Sequence, residues 1–360
     1  MKITSVECLI LDNQFPFVFI ETDEGIIGLG ECFRRQPEVT KTVVENILAP
    51  AIIGKDPVNT DQRFQDMVNT GNAFEIGGAI WIAIAGLDIA MWDIKGKSLN
   101  LPIYEILGGK IQEKMPVYAS SMKRDLEPKE EAKRAVHFAE QGFRAYKLHS
   151  AVPGKIDDEA DQTIETVTEV RKAVGDNFDI LVDVNGAYSI HHAIEIGKEL
   201  EQLGVFHFEE PRPHYDLEGL SKVSNALDIP VASGENIYSE YEYKELILKG
   251  KVDIIQPDIV KTPGFTTFIK IANIASVLGV PITCHNTQPI ISTIAHAHFV
   301  CSNKNFPYAQ EYNIEHISIR DEFPILLEPL NVKNGYLSIP EGPGLGVQLD
   351  MKMVNKIKSS

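Results

Sequence analysis

Three short apolar runs in this chain each end in a carboxylate, and the carboxylates are evenly spaced. The runs are ILVD at residues 180–183, VFHFE at 205–209 and PVASGE at 230–235, so that Asp183, Glu209 and Glu235 follow one another at intervals of 26 residues. A strand, a helix and two loops consume about 25–35 residues, so a repeating βα unit explains the period. In a parallel barrel, equivalent positions of successive units lie side by side at one end of neighbouring strands. The three acids should therefore converge. Unpaired, they would repel and raise one another's pKa; a hard divalent cation such as Mg²⁺, which takes oxygen ligands, removes that conflict. A solvated strand end accounts for any one of these acids, but poorly for three at matched spacing. The period also continues, with Asp258 closing VDIIQPD at 252–258, His285 closing PITCH at 281–285 and Glu311 closing PYAQE at 307–311. Six consecutive strand ends thus carry a polar group.

The remainder of the chain fits around that array. At 360 residues it has room for one large domain and a smaller one. Residues 3–33 read as an antiparallel meander with a turn at Asp23-Glu24-Gly25. Helical patterns follow at 40–53, 60–70 and 77–97, the last apolar on most faces and therefore buried. Strands followed by helices predict an α+β domain over residues 1–114. From Met115 strands and helices alternate. The first two strands fall at 116–121 and 145–149, with helices at 128–141, 157–174, 190–203, 217–226, 239–249, 266–278 and 289–300. Eight similar units call for a closed barrel over residues 115–324. After Glu311 no regular eighth helix is evident. Residues 325–349 are turn-rich with two β-like runs, and the segment 325–360 is expected to return to the N-terminal domain.

Charge and cysteine usage narrow the function classes. A net charge of −17 argues against nucleic acid or an anionic membrane as partner. No apolar stretch reaches the 18 or so residues of a membrane span; the longest, 79–94, carries Asp88 and Asp93. Cys8, Cys32, Cys284 and Cys301 are scattered in apolar surroundings and read as reduced core residues. The opening MKITS leads directly into a strand without a signal-peptide core, so a cytoplasmic protein is expected.

The polar strand ends suggest one kind of chemistry. Lys147 and His149 are two apart on strand two and point to the same side. Asp258 on strand six can reach His285 on strand seven, fixing its tautomer and raising its basicity. Bases then stand on both sides of a substrate held at the metal. Such a site suits proton abstraction next to a carboxylate, where a divalent ion and a cationic lysine absorb the charge of the resulting enediolate.

At these residues the sequence resembles the enolase superfamily, specifically its mandelate racemase subgroup. The motifs are AGLDIAMWDIKGK at 85–97 with LGG at 107–109, then DVN at 183–185, FEEP at 208–211, GEN at 234–236, QPD at 256–258 and His285-Asn286. The resemblance spans nearly the whole chain. It implies an α/β fold: a modified (β/α)₇β TIM barrel with an α+β capping domain formed by the N-terminal segment and the C-terminal tail. It also implies Asp183, Glu209 and Glu235 as Mg²⁺ ligands, Asp258 and His285 as the acid/base dyad, and Glu311 as the acid that meets the substrate carboxylate.

One position departs from the subgroup, whose second strand usually reads Lys-x-Lys. Here it reads Lys147-Leu-His149, with His149 in the place of the second base. A neutral imidazole stabilises charge less well than a lysine, which favours a dehydratase, needing one base and one acid, over a two-base racemase. The expected activity is Mg²⁺-dependent dehydration of a sugar acid to a 2-keto-3-deoxy acid. A racemase, epimerase or cycloisomerase is the second reading, and a non-catalytic carboxylate-binding protein a remote third. The expected partner is a small carboxylate, and a homo-oligomer is expected. Substrate contacts are expected from Asn185, and from the capping domain near residues 27–36 and through the 50s–70s, with Phe33 and Arg34 the candidates. Arg34 would pair with a second carboxylate or remain a solvated loop charge.

Overall fold

The N-terminal meander forms as its alternating apolar pattern demands. The computed structural model describes residues 1–71 and 77–359; residues 72–76, within the 50s–70s region expected to touch substrate, lie outside that description. Strands Ile3–Leu11, Phe15–Thr22 and Ile27–Glu31 pair antiparallel in chain order. The apolar helix Gly78–Leu99 is buried along most of its length, as its composition requires. It approaches the sheet so closely that a Cβ on Gly30 would stand 1.9 Å from the Gly86 carbonyl oxygen. The helix expected at 40–53 instead begins at Pro37, where proline suits the first turn, and widens into a π-helical turn over Val43–Leu48.

Parallel pairing carries the second part of the chain. Barrel strands one to five are Lys114–Ser120, Ala145–His149, Asp179–Asp183, His207–Glu209 and Val231–Ser233, hydrogen-bonded in that order. Strand six, Ile254–Ile255, follows strand five. Residues 281–285 continue the ladder as strand seven: Ile255 N donates to Pro281 O, Thr283 N to Ile255 O and His285 N to Pro257 O. Strand eight, Gln310–Asn313, pairs with strand one, so the array returns on itself. Between strands seven and eight, side chains supply bonds that main chain makes elsewhere: Cys284 N donates to Gln310 Oε1 and Asn286 N to Glu311 Oε2, each at 2.7 Å. The fold is the expected capped (β/α)₇β barrel.

Several boundaries differ from the sequence expectation for local reasons. The helix after strand two starts at Thr163, six residues late, because Asp161 Oδ1 accepts from Thr163 N while Asp157 Oδ1 is taken by Ser189 N. The helix after strand seven is Ile291–Ser302, which leaves Asn286, Thr287 and Gln288 in a loop at the barrel mouth. In the tail, Tyr336–Ser338 pairs antiparallel with strand one, while Lys358 bridges Leu11 and Gly344 bridges Pro102. The tail therefore touches both the barrel and the N-terminal segment. All four cysteines are buried and free. Among the described residues no helix is long and apolar enough to cross a membrane.

Two buried carboxylates join the cap to the barrel. Asp88 Oδ2 accepts from Thr266 N at 3.0 Å and Oδ1 from the Thr266 hydroxyl at 2.6 Å, in the first turn of helix Gly264–Leu278. Glu31 Oε2 accepts from Ser292 N at 2.9 Å in the first turn of Ile291–Ser302. Each acid thus satisfies donors that a helix start leaves free. Burial pushes Asp88 from 3.8, and Glu31 from 4.5, up to about 7 against those hydrogen bonds. A carboxyl whose pKa is raised by folding contributes most when protonated, and that contribution is lost as pH rises from the unfolded value toward 7. Asp88→Asn should therefore flatten the pH dependence of stability between pH 5 and 8. Its stability relative to wild type should rise by about 2–3 kcal/mol across that window, at roughly 1.4 kcal/mol per pKa unit, measured by urea unfolding at fixed metal.

Candidate active site

Pairing register brings the strand-end acids together. His149 lies directly beside Asp183, and Asp183 directly beside Glu209. Glu235 follows strand five by two residues, at the same end. One ligand oxygen from each of Asp183, Glu209 and Glu235 lies within 4.8 Å of the others, and all three residues are buried. Three hard carboxylate oxygens on a fixed frame fit Mg²⁺ and offer nothing to a soft, thiolate-seeking metal.

Lys147 is the internal counter-charge. Only 1% exposed, its Nζ lies 2.9 Å from Glu209 Oε1, 2.8 Å from Glu311 Oε1 and 3.8 Å from Asp183 Oδ2. Burial alone would lower its pKa, but Glu209 and Glu311 hold it well above the ordinary lysine value. Burial likewise opposes ionisation of Glu311, yet Lys147 and His285 hold that acid down to about 2. Ser120 donates to Glu311 Oε1 at 2.7 Å, fixing the carboxylate from strand one. Glu311 lies within strand eight and not at its end.

Two imidazoles flank the acids. His149 Nε2 is 2.9 Å from Asp183 Oδ2, and its Nδ1 is 2.5 Å from the Ser121 carbonyl oxygen. His285 Nε2 is 3.1 Å from Glu235 Oε2, and its Nδ1 is 2.7 Å from Asp258 Oδ2. Burial would depress the His285 pKa, but Glu235, Glu311 and Asp258 together raise it against the opposing charge of Lys261. Burial also resists ionisation of Asp183 and Glu235, whereas His149 beside the one and His285 beside the other hold both down to about 2. Asn185 anchors the turn after strand three: its N–H and its side-chain amide donate to the two Asp183 oxygens at 2.8 and 3.1 Å.

A cavity of about 290 Å³ opens over this array. Its wall includes Lys147, His149, Asn185, Glu235, His285 and Glu311, with Phe33 and Arg34 from the capping domain. Every residue singled out in the sequence thus lines this cavity or touches one that does; Asp183, Glu209 and Asp258 stand behind the lining side chains. Arg34 is half-buried, and its Nη1 donates to Thr287 O, Thr287 Oγ1 and Gln288 Oε1 at 2.7–3.0 Å, so it is no solvated loop charge.

Other lining residues had not been singled out: Arg35, Arg124, Glu210, Asn236 and Lys261. Glu210 and Asn236 adjoin the ligands inside motifs already noted. Burial and the neighbouring carboxylates Glu235, Asp183 and Glu209 push the Glu210 pKa well above the carboxylate range. Its φ of +44° matches that of Asn185, and Gly186 N donates to Glu210 O at 2.7 Å, so the two left-handed turns brace each other. Lys261 and Arg124 sit in loops with no period to mark them.

The capped barrel and its acidic strand ends define a class of enzyme, and comparison with known proteins places the chain within it. The family described as Mandelate racemase / muconate lactonizing enzyme, N-terminal domain matches residues 5–108, and the one described as Enolase C-terminal domain-like matches 128–353. An arabinonate dehydratase from Saccharolobus solfataricus is 32% identical, over 91% of this chain and 86% of that one. A D-galactarolactone cycloisomerase from Agrobacterium fabrum is 30% identical, over 99% of both chains. The structure of the 3,6-anhydro-D-galactonate cycloisomerase from Zobellia galactanivorans superposes with a TM-score of 0.90 at 30% identity, covering all of both chains. The chain belongs to the enolase superfamily, in its mandelate racemase / muconate lactonizing enzyme group. Members of that superfamily use Mg²⁺.

Removing Lys147 tests the charge balance directly. Lys147→Met leaves Glu209 and Glu311 buried without their cation, a loss of about 3–5 kcal/mol in the metal-stripped protein. Mg²⁺ should then restore more stability to the variant than to wild type, because no buried ammonium opposes the incoming charge. Thermal unfolding across a Mg²⁺ titration reads both effects.

Proposed function

We propose that this protein is a Mg²⁺-dependent dehydratase of sugar acids, with its catalytic unit at residues 115–324 capped by 1–114 and 325–360. The observation that carries this reading is the unequal backing of the two imidazoles. His285 Nδ1 faces the Asp258 carboxylate, whereas His149 Nδ1 faces only the carbonyl of Ser121. A carboxylate stabilises the imidazolium that forms when Nε2 takes a proton; a neutral carbonyl does so far less. His285 is therefore assigned as the base and His149 as the acid. Unlike partners suit elimination, which needs one of each, better than a racemisation that uses two matched bases.

In this scheme Asp183, Glu209 and Glu235 hold the metal. When bound, the ion supplies electrostatic stabilisation to the negative charge that develops as the α-proton leaves. Lys147 and the site's fixed dipoles neutralise the same charge, and Glu311, ion-paired with Lys147 at 2.8 Å, positions that ammonium for the substrate carboxylate. His285 Nε2 takes the proton from Cα. The Cβ–O bond then breaks, and the hydroxyl leaves as water with a proton from His149. The enol left behind ketonises, by protonation at Cβ, to the 2-keto-3-deoxy acid. A cycloisomerase or epimerase built on the same α-proton removal is the second reading, supported by the cycloisomerases among the relatives. The four buried, free cysteines support a reducing, cytoplasmic setting.

Sugar acids incubated with the enzyme should give a product that reacts with semicarbazide; EDTA should abolish its formation and Mg²⁺ restore it. Full activity after exhaustive chelation would remove the metal from the scheme. In D₂O, His285→Asn should lose α-proton exchange by at least about 10³-fold, within the range for general-base catalysis. His149→Asn should keep exchange and lose turnover. If the two phenotypes swap, the roles of the histidines swap with them. Solvent deuterium at Cα with inverted configuration and no keto acid would favour the second reading.

A further inference from the structure

Three cations converge on one aromatic ring at the mouth of the cavity. The Arg34 and Arg35 guanidinium carbons lie 5.8 and 5.6 Å from the centroid of Phe33, and Lys261 Nζ lies 4.6 Å from it. Phe33, Arg34 and Arg35 come from the capping domain and Lys261 from the loop after strand six, and all four line the cavity. The ring attracts each cation through its quadrupole but does not relieve the repulsion among them. Among the described residues neither arginine has a carboxylate within ion-pair distance, although the chain carries a net charge of −17. Lys261 is only 3% exposed; its contacts are Asn236 Oδ1 at 3.2 Å and Glu235 Oε1 at 3.8 Å. Burial, and then Arg35, lower the Arg34 pKa, as expected for crowded like charges. Arg34 spends Nη1 on Thr287 and Gln288, while Nε and Nη2 make no hydrogen bond among the described residues. That remaining edge is the two-donor fork that matches a carboxylate.

We propose that this rim binds a second carboxylate on the substrate, so that the enzyme takes dicarboxylic sugar acids in preference to monocarboxylic ones. The proposal rests on the sugar-acid reading above and narrows it. One carboxylate of the diacid occupies the pole at Lys147, beside the acidic triad that would hold the metal. The other meets Arg34 and Arg35 at the mouth, where it neutralises charges that otherwise face one another. The hydroxylated carbons span the space between. A monoacid of the same configuration presents a neutral primary alcohol to the rim and leaves the guanidiniums unpaired.

The test uses galactarate and galactonate, which differ only at the terminal carbon. His285→Asn enzyme with Mg²⁺ reports binding by calorimetry without turnover, and wild-type enzyme reports elimination. The expected result is at least tenfold tighter binding of galactarate. Arg34→Gln and Arg35→Gln, each on the His285→Asn background, should shrink that preference by at least fivefold while changing galactonate affinity less than twofold. If one arginine variant fails to fold, the other reads the same difference. Equal affinity for the two acids, or equal losses for both in the arginine variants, would overturn the proposal and leave the dehydratase reading intact. Preferential binding of galactarate without keto-acid formation by wild type would retain the rim and count against dehydration of this diacid. Tighter binding of 6-phosphogluconate than of galactarate would replace the carboxylate with a phosphate and overturn the proposal as stated.

Discussion

Like-charge repulsion at the carboxyl end of the barrel is the constraint around which the site is arranged. Asp183, Glu209, Glu235, Asp258, Glu210 and Glu311 are all buried and crowd into one small volume. Water cannot screen them there, so each must meet a cation, a hydrogen-bond donor or its own proton. Lys147 answers for Glu209 and Glu311, His149 for Asp183, and His285 for both Asp258 and Glu235. Glu210 is the one driven toward the protonated form, by burial and then by its carboxylate neighbours. The same crowding that makes the site costly makes it receptive to a divalent cation.

This arrangement also explains why the two histidines differ although they occupy comparable places. Each points Nε2 at a carboxylate of the triad, one from strand two and one from strand seven. Strand seven has strand six beside it, and Asp258 reaches across; strand two has strand one beside it, whose following residue, Ser121, offers only a carbonyl. The asymmetry in backing thus follows from which neighbour each strand happens to have. A lysine at position 149 would carry its own charge and need no such backing.

The barrel and its acids were legible because a period in sequence becomes a circle in space. Asp183, Glu209 and Glu235 could be placed from spacing alone, since ladder pairing puts the first two in register and the third at the same end. Strand seven was legible from PITCH at 281–285, although only Ile282 forms a regular bridge, because main-chain bonds to Ile255 and Pro257 persist on one side. Loops were less readable. The delayed start at Thr163 depends on where Asp157 and Asp161 spend their oxygens, a tertiary matter that helical periodicity does not record. Lys261 and Arg124 enter the cavity from segments without repeat, and Arg35 enters it beside Arg34. Arg35 is carried by the cap, so its place in the cavity wall depends on how the cap is seated.

That seating connects the two halves of the chemistry. Glu31 closes the third strand of the meander and satisfies Ser292 N at the start of the helix after strand seven, while its Oε1 accepts from the Gln288 amide at 3.1 Å. Gln288 in turn donates to Cys32 O and accepts from Arg34. One buried carboxylate therefore fixes the loop that carries Phe33 and Arg34 against the loop that follows His285. Asp88 does the equivalent service for the helix beyond Asp258 and Lys261, and there Gly264, at φ +66°, leaves room that a Cβ 2.3 Å from Asp88 Oδ2 would fill. The rim and the dyad are thus held in register by polar bonds that water cannot easily replace. A substitution that loosens Glu31 or Asp88 would shift the mouth relative to His285 without touching either. The shape of the cavity thus depends on the docking of the cap, not only on the residues that line it.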